Sequence, residues 1–430
     1  MNGFRPSRRS ALELLGAATL GAGGVGMASG TAHAAQTASA ADPDELFRRG
    51  RFKEAERGYR ELLRANPDDQ HANAQVGYIA LLSNRFQDAE THLTKATELA
   101  PDDRFSLTQL ADTFVRQDQL GRAAPILERA GNKGYATQLA SVSGTPYQVN
   151  GAQSTRIPFR GLDPLPLVEA SVSGRGPRRF LLDTGGTLSL SMETAEEAGL
   201  EYVATGRGRA GGQTFTMYFG VLDSFRMGDV ELRNIPVHWH DAKMPAALGD
   251  PQPSGVIGTT IFYHFLTTMD YAGRALVLRQ KNGENLREFQ AEARRSGAEK
   301  LPLWLAFDHF PCTVGSLNHL GPGMVSLDTG GSGGIGVVTT EEMARRAGIR
   351  VDRDRATSFN RIPVYPCVPD RASLGKAVAR DIYSIAGPLL MDDRFRFETI
   401  ANFTHAFFKP YAITFDFTEM NFYIAGKPSN

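Results

Sequence analysis

Two segments of this 430-residue chain carry the same chemistry-bearing string, Phe180-Leu181-Leu182-Asp183-Thr184-Gly185-Gly186-Thr187 and Val325-Ser326-Leu327-Asp328-Thr329-Gly330-Gly331-Ser332. In each, an apolar run leads into Asp-Thr-Gly-Gly, the pattern of a strand that sets one carboxylate on a tight, glycine-lined turn. One such turn offers one acid; two can offer a pair. Carboxyls brought close together cannot both ionise cheaply, so they share a proton and titrate as a unit. The ionised member can take a proton from a bound water while the protonated member donates to the carbonyl oxygen of an amide. This chemistry calls for no metal and no cofactor, and it forms no covalent intermediate.

A lone Asp-Thr-Gly-Gly is an ordinary turn with a solvated aspartate; the downstream frame is what distinguishes this pair. Gly228 follows Asp183 by 45 positions and Gly375 follows Asp328 by 47, while Asp270 follows Asp183 by 87 and Asp416 follows Asp328 by 88. Intervals this close mark the two stretches as halves of a duplication. Both carboxyls then come from one chain, and a monomer is sufficient to form the pair.

Residues from about 157 to 425 resemble the retropepsin-like and pepsin-like aspartic peptidases, in which two β-rich lobes each supply an Asp-Thr-Gly loop to one cleft. The resemblance implies Asp183 and Asp328 as the catalytic pair, with Thr184, Gly185, Thr329 and Gly330 as loop support, the threonine hydroxyls bonding across to the opposite loop. That family also places an apolar-apolar-Gly segment behind each loop. Val256-Ile257-Gly258 fits in the first lobe, and Ile385-Ala386-Gly387 is taken as its drifted counterpart in the second. The position after Asp-Thr-Gly, where the family often has a hydroxyl that orients the carboxylate, is Gly186 or Gly331 here.

The elements that must hold these loops are short β-branched and aromatic runs separated by Gly and Pro, an all-β pattern. They divide into a first lobe at 157–281 and a second at 301–425, joined at 282–300 by a charged stretch with the spacing of a solvated helix. Leu165–Val172 and Phe180–Leu182 flank a hairpin turn, and Met192–Gly199 reads as a short helix. Gly206–Gly220 is glycine-rich and then aromatic, a candidate flap over the cleft with Phe215 or Tyr218 facing the substrate; a plain glycine-rich loop is the competing reading. The next Ala-Gly lies 15 positions after Asp183 (at 198) and 19 after Asp328 (at 347), which puts four extra residues in the second, glycine-rich loop.

Rival chemistry is thin. His238-Trp239-His240 places two imidazoles on one strand face, but no third ligand stands at a metal-binding spacing. No Gly-x-Ser-x-Gly elbow supports a serine nucleophile. Cys312 and Cys367 both fall in the second lobe, where either a disulfide or two buried thiols fits them.

Ahead of the lobes, residues 42–134 repeat every 34 positions: Ala55, Ala89 and Ala123; Phe52, Phe86 and Leu120; Leu62, Ala96 and Ala130. Asn66-Pro67-Asp68-Asp69 recurs as Ala100-Pro101-Asp102-Asp103. The pattern resembles tetratricopeptide repeats, helix hairpins that bury their apolar stripes only by stacking. Such an array either binds a protein partner in its groove or packs against the enzyme as a collar. Residues 135–156 lose the period and read as a linker or as a first irregular strand.

Residues 1–34 carry Ser7-Arg8-Arg9, a Gly/Ala-rich apolar stretch and Ala32-His33-Ala34, which together resemble a twin-arginine export signal with its cleavage site, despite Ala11 and Glu13 at atypical positions. An ordinary secretory signal or an unstructured tail is the alternative. The expected location is the periplasm or the exterior. With 47 basic and 47 acidic residues there is no field to attract nucleic acid, and no uninterrupted apolar run is long enough for stable membrane insertion.

The expected architecture is therefore multidomain: all-α tetratricopeptide-like repeats, then a mainly-β bilobal aspartic peptidase-like domain. The expected function is exported endopeptidase activity on a peptide or protein substrate. The alternative is a non-catalytic peptide-binding or assembly factor that keeps the cleft.

Overall fold

The computed structural model describes residues 42–210, 213–242, 248, 252–331, 333–359, 362–388 and 392–426. The expected export signal at 1–34, residues 211–212 of the candidate flap and Ser332 lie outside the described residues.

The N-terminal region is built from α1 (Pro43–Arg48), α2 (Phe52–Ala65), α3 (Gln70–Leu82), α4 (Phe86–Leu99), α5 (Arg104–Val115), α6 (Leu120–Arg129) and α7 (Lys133–Ser141). The recurrent Pro-Asp-Asp has a local cause. Its last aspartate is a helix N-cap: Asp69 accepts from the Ala72 amide at 2.9 Å to start α3, and Asp103 accepts from the Ser106 amide at 3.2 Å to start α5. Each cap satisfies an amide that a helix start leaves open. Ala55, Ala89 and Ala123 are wholly buried, as small side chains at a close helix crossing must be.

The stretch 135–156 is not a linker. Helix α7 continues to Ser141 because Ala136 and Leu139 join the core of the array, with Leu110, Phe114 and Leu127. Gln148–Gly151 then pairs with Val230–His240, and Ser154–Pro158 pairs with Ala275–Gln280, so the first lobe's strands begin well before residue 157.

The remainder is mainly β. Strand Arg175–Asp183 carries the first aspartate and pairs antiparallel with Leu167–Val172 and parallel with Gly255–Gly258. Strand Leu320–Asp328 carries the second and pairs antiparallel with Phe310–Leu317 and parallel with Ala401–Thr404. That last pairing corrects the sequence expectation. Ile385-Ala386-Gly387 does not lie behind the second loop; Ser384–Ala386 pairs instead with Val337–Thr339 and Ile362–Cys367. The counterpart of Val256-Ile257-Gly258 is Asn402-Phe403-Thr404, in the same register against the aspartate strand.

The lobes share a six-stranded sheet in which Phe265–Asp270 pairs with Tyr411–Asp416. Thr268 and Thr414, each two residues before its lobe's late aspartate, face one another with hydroxyls 2.8 Å apart. The connecting helix Gly283–Arg295 buries Phe289 and Ala293 against Leu266 and Tyr423 of this sheet, so only part of it is solvated. Cys312 and Cys367 form no disulfide. Cys312 is buried in the cluster beneath the helical array and Cys367 in the main β core, where burial pushes its thiol up to about 12.

The helical array packs against both lobes. Leu46, Phe47, Phe52, Tyr78 and Ile79 form one buried cluster with Phe310, Met324, Phe395 and Phe397 of the second lobe. Fully burying one such side chain contributes about 2–3 kcal/mol. Tyr78 donates to the Phe395 carbonyl at 3.1 Å, and the Arg116 guanidinium donates to the carbonyls of Leu81 at 2.8 Å, Leu305 at 2.7 Å and Phe307. On the first lobe, the Gln138 amide donates to the Gly220 and Val237 carbonyls, both at 2.7 Å.

Candidate active site

Asp183 and Asp328 sit at the ends of their strands, where the chain turns sharply through Thr-Gly. The turns are locked across the molecular pseudo-dyad. The Thr184 amide donates to the Thr329 hydroxyl at 2.9 Å and the Thr329 amide to the Thr184 hydroxyl at 3.0 Å. Each hydroxyl donates onward to the opposite strand, Thr184 to the Leu327 carbonyl at 2.8 Å and Thr329 to the Leu182 carbonyl at 3.2 Å. Four bonds, each worth about 1 kcal/mol net, thus fix one loop against the other.

Glycine is required at the next position by proximity. A Cβ on Gly330 would lie 2.3 Å from the Asp183 carboxyl carbon, and one on Gly185 would lie 2.9 Å from Asp328 Oδ1. Without a Cβ, each loop brings its backbone amide to its own carboxylate, Gly185 to Asp183 Oδ1 at 2.8 Å and Gly330 to Asp328 Oδ1 at 2.9 Å. Burial first, then the charge and hydrogen-bonding influence of the neighbouring Asp328 carboxyl, hold the Asp183 carboxyl well above the usual carboxylate range, against the opposing pull of the Gly185 and Gly330 amides. This is the electrostatic condition for a shared proton.

Strand pairing decides what faces the pair. Leu181 lies opposite Val256, Val256 opposite Ser189, Ser189 opposite His238, and His238 opposite Phe219. Directly opposed residues share a face, and alternation places Asp183, Met217 and Phe215 on it too. Tyr202–Ala210 and Gln213–Met227 do form a hairpin, so Gly206–Gly220 is not an irregular loop. Phe215 lies on the aspartate face with its ring 5.0 Å from that of His240. Tyr218 does not: it is on the opposite face, stacked on Trp239 against the core. The even-odd alternation of a strand allows only one of the two candidates to look into the cleft.

Two walls were not legible in the sequence. The ring of Phe310 lies 3.2 Å from where a Cβ of Gly185 would sit, so the apolar cluster under the array reaches the first loop through one side chain. Helix α7 covers the hairpin base, where a Cβ on Gly134 would meet the Phe219 ring at 3.0 Å. His238 is pushed down to about 3, chiefly by burial and then by the charges of His240 and His309, and is a neutral lining residue at ordinary pH.

A further polar residue was missed. Asn402 donates from Nδ2 to Asp328 Oδ2 at 3.1 Å, and the Ser326 hydroxyl donates to Asn402 Oδ1 at 3.0 Å. A signal for it existed: Thr404 precedes Asp416 by 12 positions, as Gly258 precedes Asp270, which places Asn402 beside Asp328 by count alone.

Residues 168–261, essentially the first aspartate strand through the segment behind its loop, match a family described as aspartyl protease, which supports a retropepsin-like domain here. Among solved structures, a MamA RS-1 ArsTM double mutant is 24% identical over 23% of this chain and 57% of its own length, with a TM-score of 0.21. This chain thus spans little more than half of that structure. The TPR2B domain of yeast Sti1 in complex with pHsp70 is 19% identical over 24% of this chain and 82% of its own, with a TM-score of 0.21. Basic 7S globulin from soybean is 10% identical over 65% of this chain and 95% of its own, with a TM-score of 0.36. No curated protein matches the chain.

Proposed function

We propose that the protein is an aspartic endopeptidase acting on peptide or protein substrates through Asp183 and Asp328, after export to the periplasm or the exterior. The observation that carries this reading is the pair itself: two carboxyls on duplicated loops that are bonded to each other through Thr184 and Thr329, each carboxyl lying against the glycine of the opposite loop. The ionised carboxylate takes a proton from water as its oxygen bonds to the amide carbon, and the protonated carboxyl donates to the carbonyl oxygen. Collapse of the tetrahedral species moves a proton to nitrogen, breaks the C–N bond and releases an acid and an amine. The Phe215 hairpin closes the cleft over the substrate.

The array acts in this reading as a brace. Its inner side chains are already buried against the second lobe, so peptide capture falls to the cleft. Export rests on the leader sequence alone, and its check is N-terminal sequencing of the mature protein, with cleavage after Ala34 expected.

The absent hydroxyls at Gly186 and Gly331 favour a second reading, a cleft that binds peptide without turnover. Cleavage of an unbiased peptide library from about pH 3 to about pH 8 separates the two. The mature protein is compared with Asp183→Asn and Asp328→Asn. Turnover abolished by either substitution supports the peptidase; peptide binding with no products in any variant supports the second reading.

A further inference from the structure

The loops are near copies, yet the residues flanking the two carboxylates are chemically opposite. Beside Asp183 the paired positions are Leu181 and Val256, which offer no donor; beside Asp328 the same positions are Ser326 and Asn402. The Ser326 hydroxyl donates to Asn402 Oδ1 at 3.0 Å, which fixes the orientation of the amide and aims its NH2 at Asp328 Oδ2, 3.1 Å away. Turning the amide over would set its oxygen against the carboxylate, whereas the Ser326 hydroxyl can donate to or accept from either end of the amide. Asp328 therefore accepts on both oxygens, from the Gly330 amide on Oδ1 and from Asn402 on Oδ2. Asp183 accepts on Oδ1 from Gly185, and the Gly330 amide of the opposite loop pulls on it as well, so the difference between the two carboxyls is the side-chain donor Asn402. Its Oδ2 faces Gly186, where a Cβ would stand 3.1 Å away and no hydroxyl exists.

We infer that Asn402, held by Ser326, is a positioning residue that gives the two carboxyls fixed roles. Asp328 carries the charge and takes the proton from water, and Asp183 carries the shared proton and delivers it to the substrate carbonyl. Hydrogen bonds to a carboxylate favour its charged form, and a side-chain amide donor on one member of a pair tips the proton to the other. Burial works in the same direction on Asp183, raising its carboxyl. Among the described residues, the titratable groups nearest the pair are Tyr271, which burial pushes up, and His238 on the aspartate face, which burial pushes down to about 3, so both remain neutral. Asn402 also supplies from the neighbouring strand the donor that Gly331 lacks. This inference rests on the peptidase reading for its catalytic consequence, but not for the position of the proton.

The test uses the full mature chain carrying 13C-carboxyl aspartate, with the Asp183 signal assigned through Asp183→Asn. The expected result is that Asp183 keeps its protonated chemical shift throughout the range in which the pair holds one proton. In Asn402→Leu, which keeps the volume and removes the donor, that signal moves to an intermediate value as the proton becomes shared. The acid limb of the kcat/KM profile then moves up by about one pH unit and the maximum falls about tenfold. Ser326→Ala, a milder change that only frees the amide, gives a smaller shift of the same sign. An Asp183 signal that titrates as a free carboxylate in the unmodified protein overturns the inference, and so does one unmoved in folded Asn402→Leu. If the unmodified protein cleaves nothing, the peptidase reading fails while the carboxyl signals still decide this one.

Discussion

The two lobes keep the same loop and support it differently. In the first, Gly258 lies against the loop so closely that a Cβ would stand 2.1 Å from the Gly186 carbonyl oxygen, and the flanking pair is apolar. In the second, the equivalent residue is Thr404, whose hydroxyl donates to the Ile335 carbonyl of a longer loop. Insertion after Asp328 made room for a side chain where the first lobe tolerates none, and the space beside the carboxylate became polar. What stayed constant is what the pair itself demands: the crossed threonines and the glycines that face the opposite carboxyl. Duplicated halves diverge where each meets its own surroundings and agree where each meets the other.

The sharpest way to break this comparison is to exchange the residues behind the loops. Gly258→Ala sets a methyl into backbone that cannot retreat, and it is expected to lower unfolding stability by about 3 kcal/mol or more and to abolish turnover. Thr404→Ala removes one hydrogen bond and is expected to cost about 1–2 kcal/mol, with activity retained. Urea unfolding of both variants measures the contrast; equal losses would mean that the second loop is as tightly closed as the first.

A second comparison divides one strand between two roles. Phe215→Ala is expected to raise KM about tenfold with stability nearly unchanged, because the ring faces the cleft. Tyr218→Ala is expected to leave KM alone and cost about 2–3 kcal/mol, because its ring packs on Trp239 and the core. Kinetics and denaturation on the same two variants distinguish these outcomes, and a raised KM for Tyr218→Ala would reverse the facing assigned to the hairpin.

The smallest expected effect concerns how the array meets each lobe. Among the polar contacts, the Gln138 amide donates to two carbonyls of the first lobe, while beside the second lobe Arg116 donates to the Leu305 and Phe307 carbonyls and Asp112 feels the charges of Arg116 and Asp308. Burial, and then the Asp308 charge, push the Asp112 carboxyl up to about 8, against the pull of Arg116. A carboxyl raised on folding stabilises the fold at pH below its unfolded value, and that contribution is lost as pH rises through the folded one. The attachment therefore weakens between about pH 4 and about pH 8. Asp112→Asn removes the titration, and its melting temperature is expected to exceed that of the unmodified protein by a few degrees near pH 8 while converging with it near pH 4. A gap that does not change with pH would exclude Asp112 as the source.

The paired aspartates were readable in the sequence because duplication writes them twice at matched intervals, and the array because its alanines and capping aspartates recur every 34 positions. Asn402-Phe403-Thr404 was hidden because the signal sought was a terminal glycine, and the longer loop had removed the need for one. Helix α7 was hidden because Gly134 and Gln138 suit a helix only when another surface covers them, and that surface is made by Phe219 and the Gly220 and Val237 carbonyls of the first lobe. The same holds for Phe47 and Phe52. A helical period marks them as core residues of the array without saying that part of that core lies in the second lobe.

That last arrangement has a consequence in time. The apolar side of the array is synthesised first and its cover almost last: Tyr78 bonds to Phe395, 317 positions later. At about 5–20 residues per second, roughly 15–60 s of synthesis separates an aromatic surface from the residues that bury it. Throughout that interval Phe47, Phe52 and Tyr78 lack the second-lobe part of their packing and are open to chaperones or to other nascent chains. A message truncated before residue 395 would leave the helices in that state permanently, so the C-terminal lobe also serves as the chain's own signal of completion.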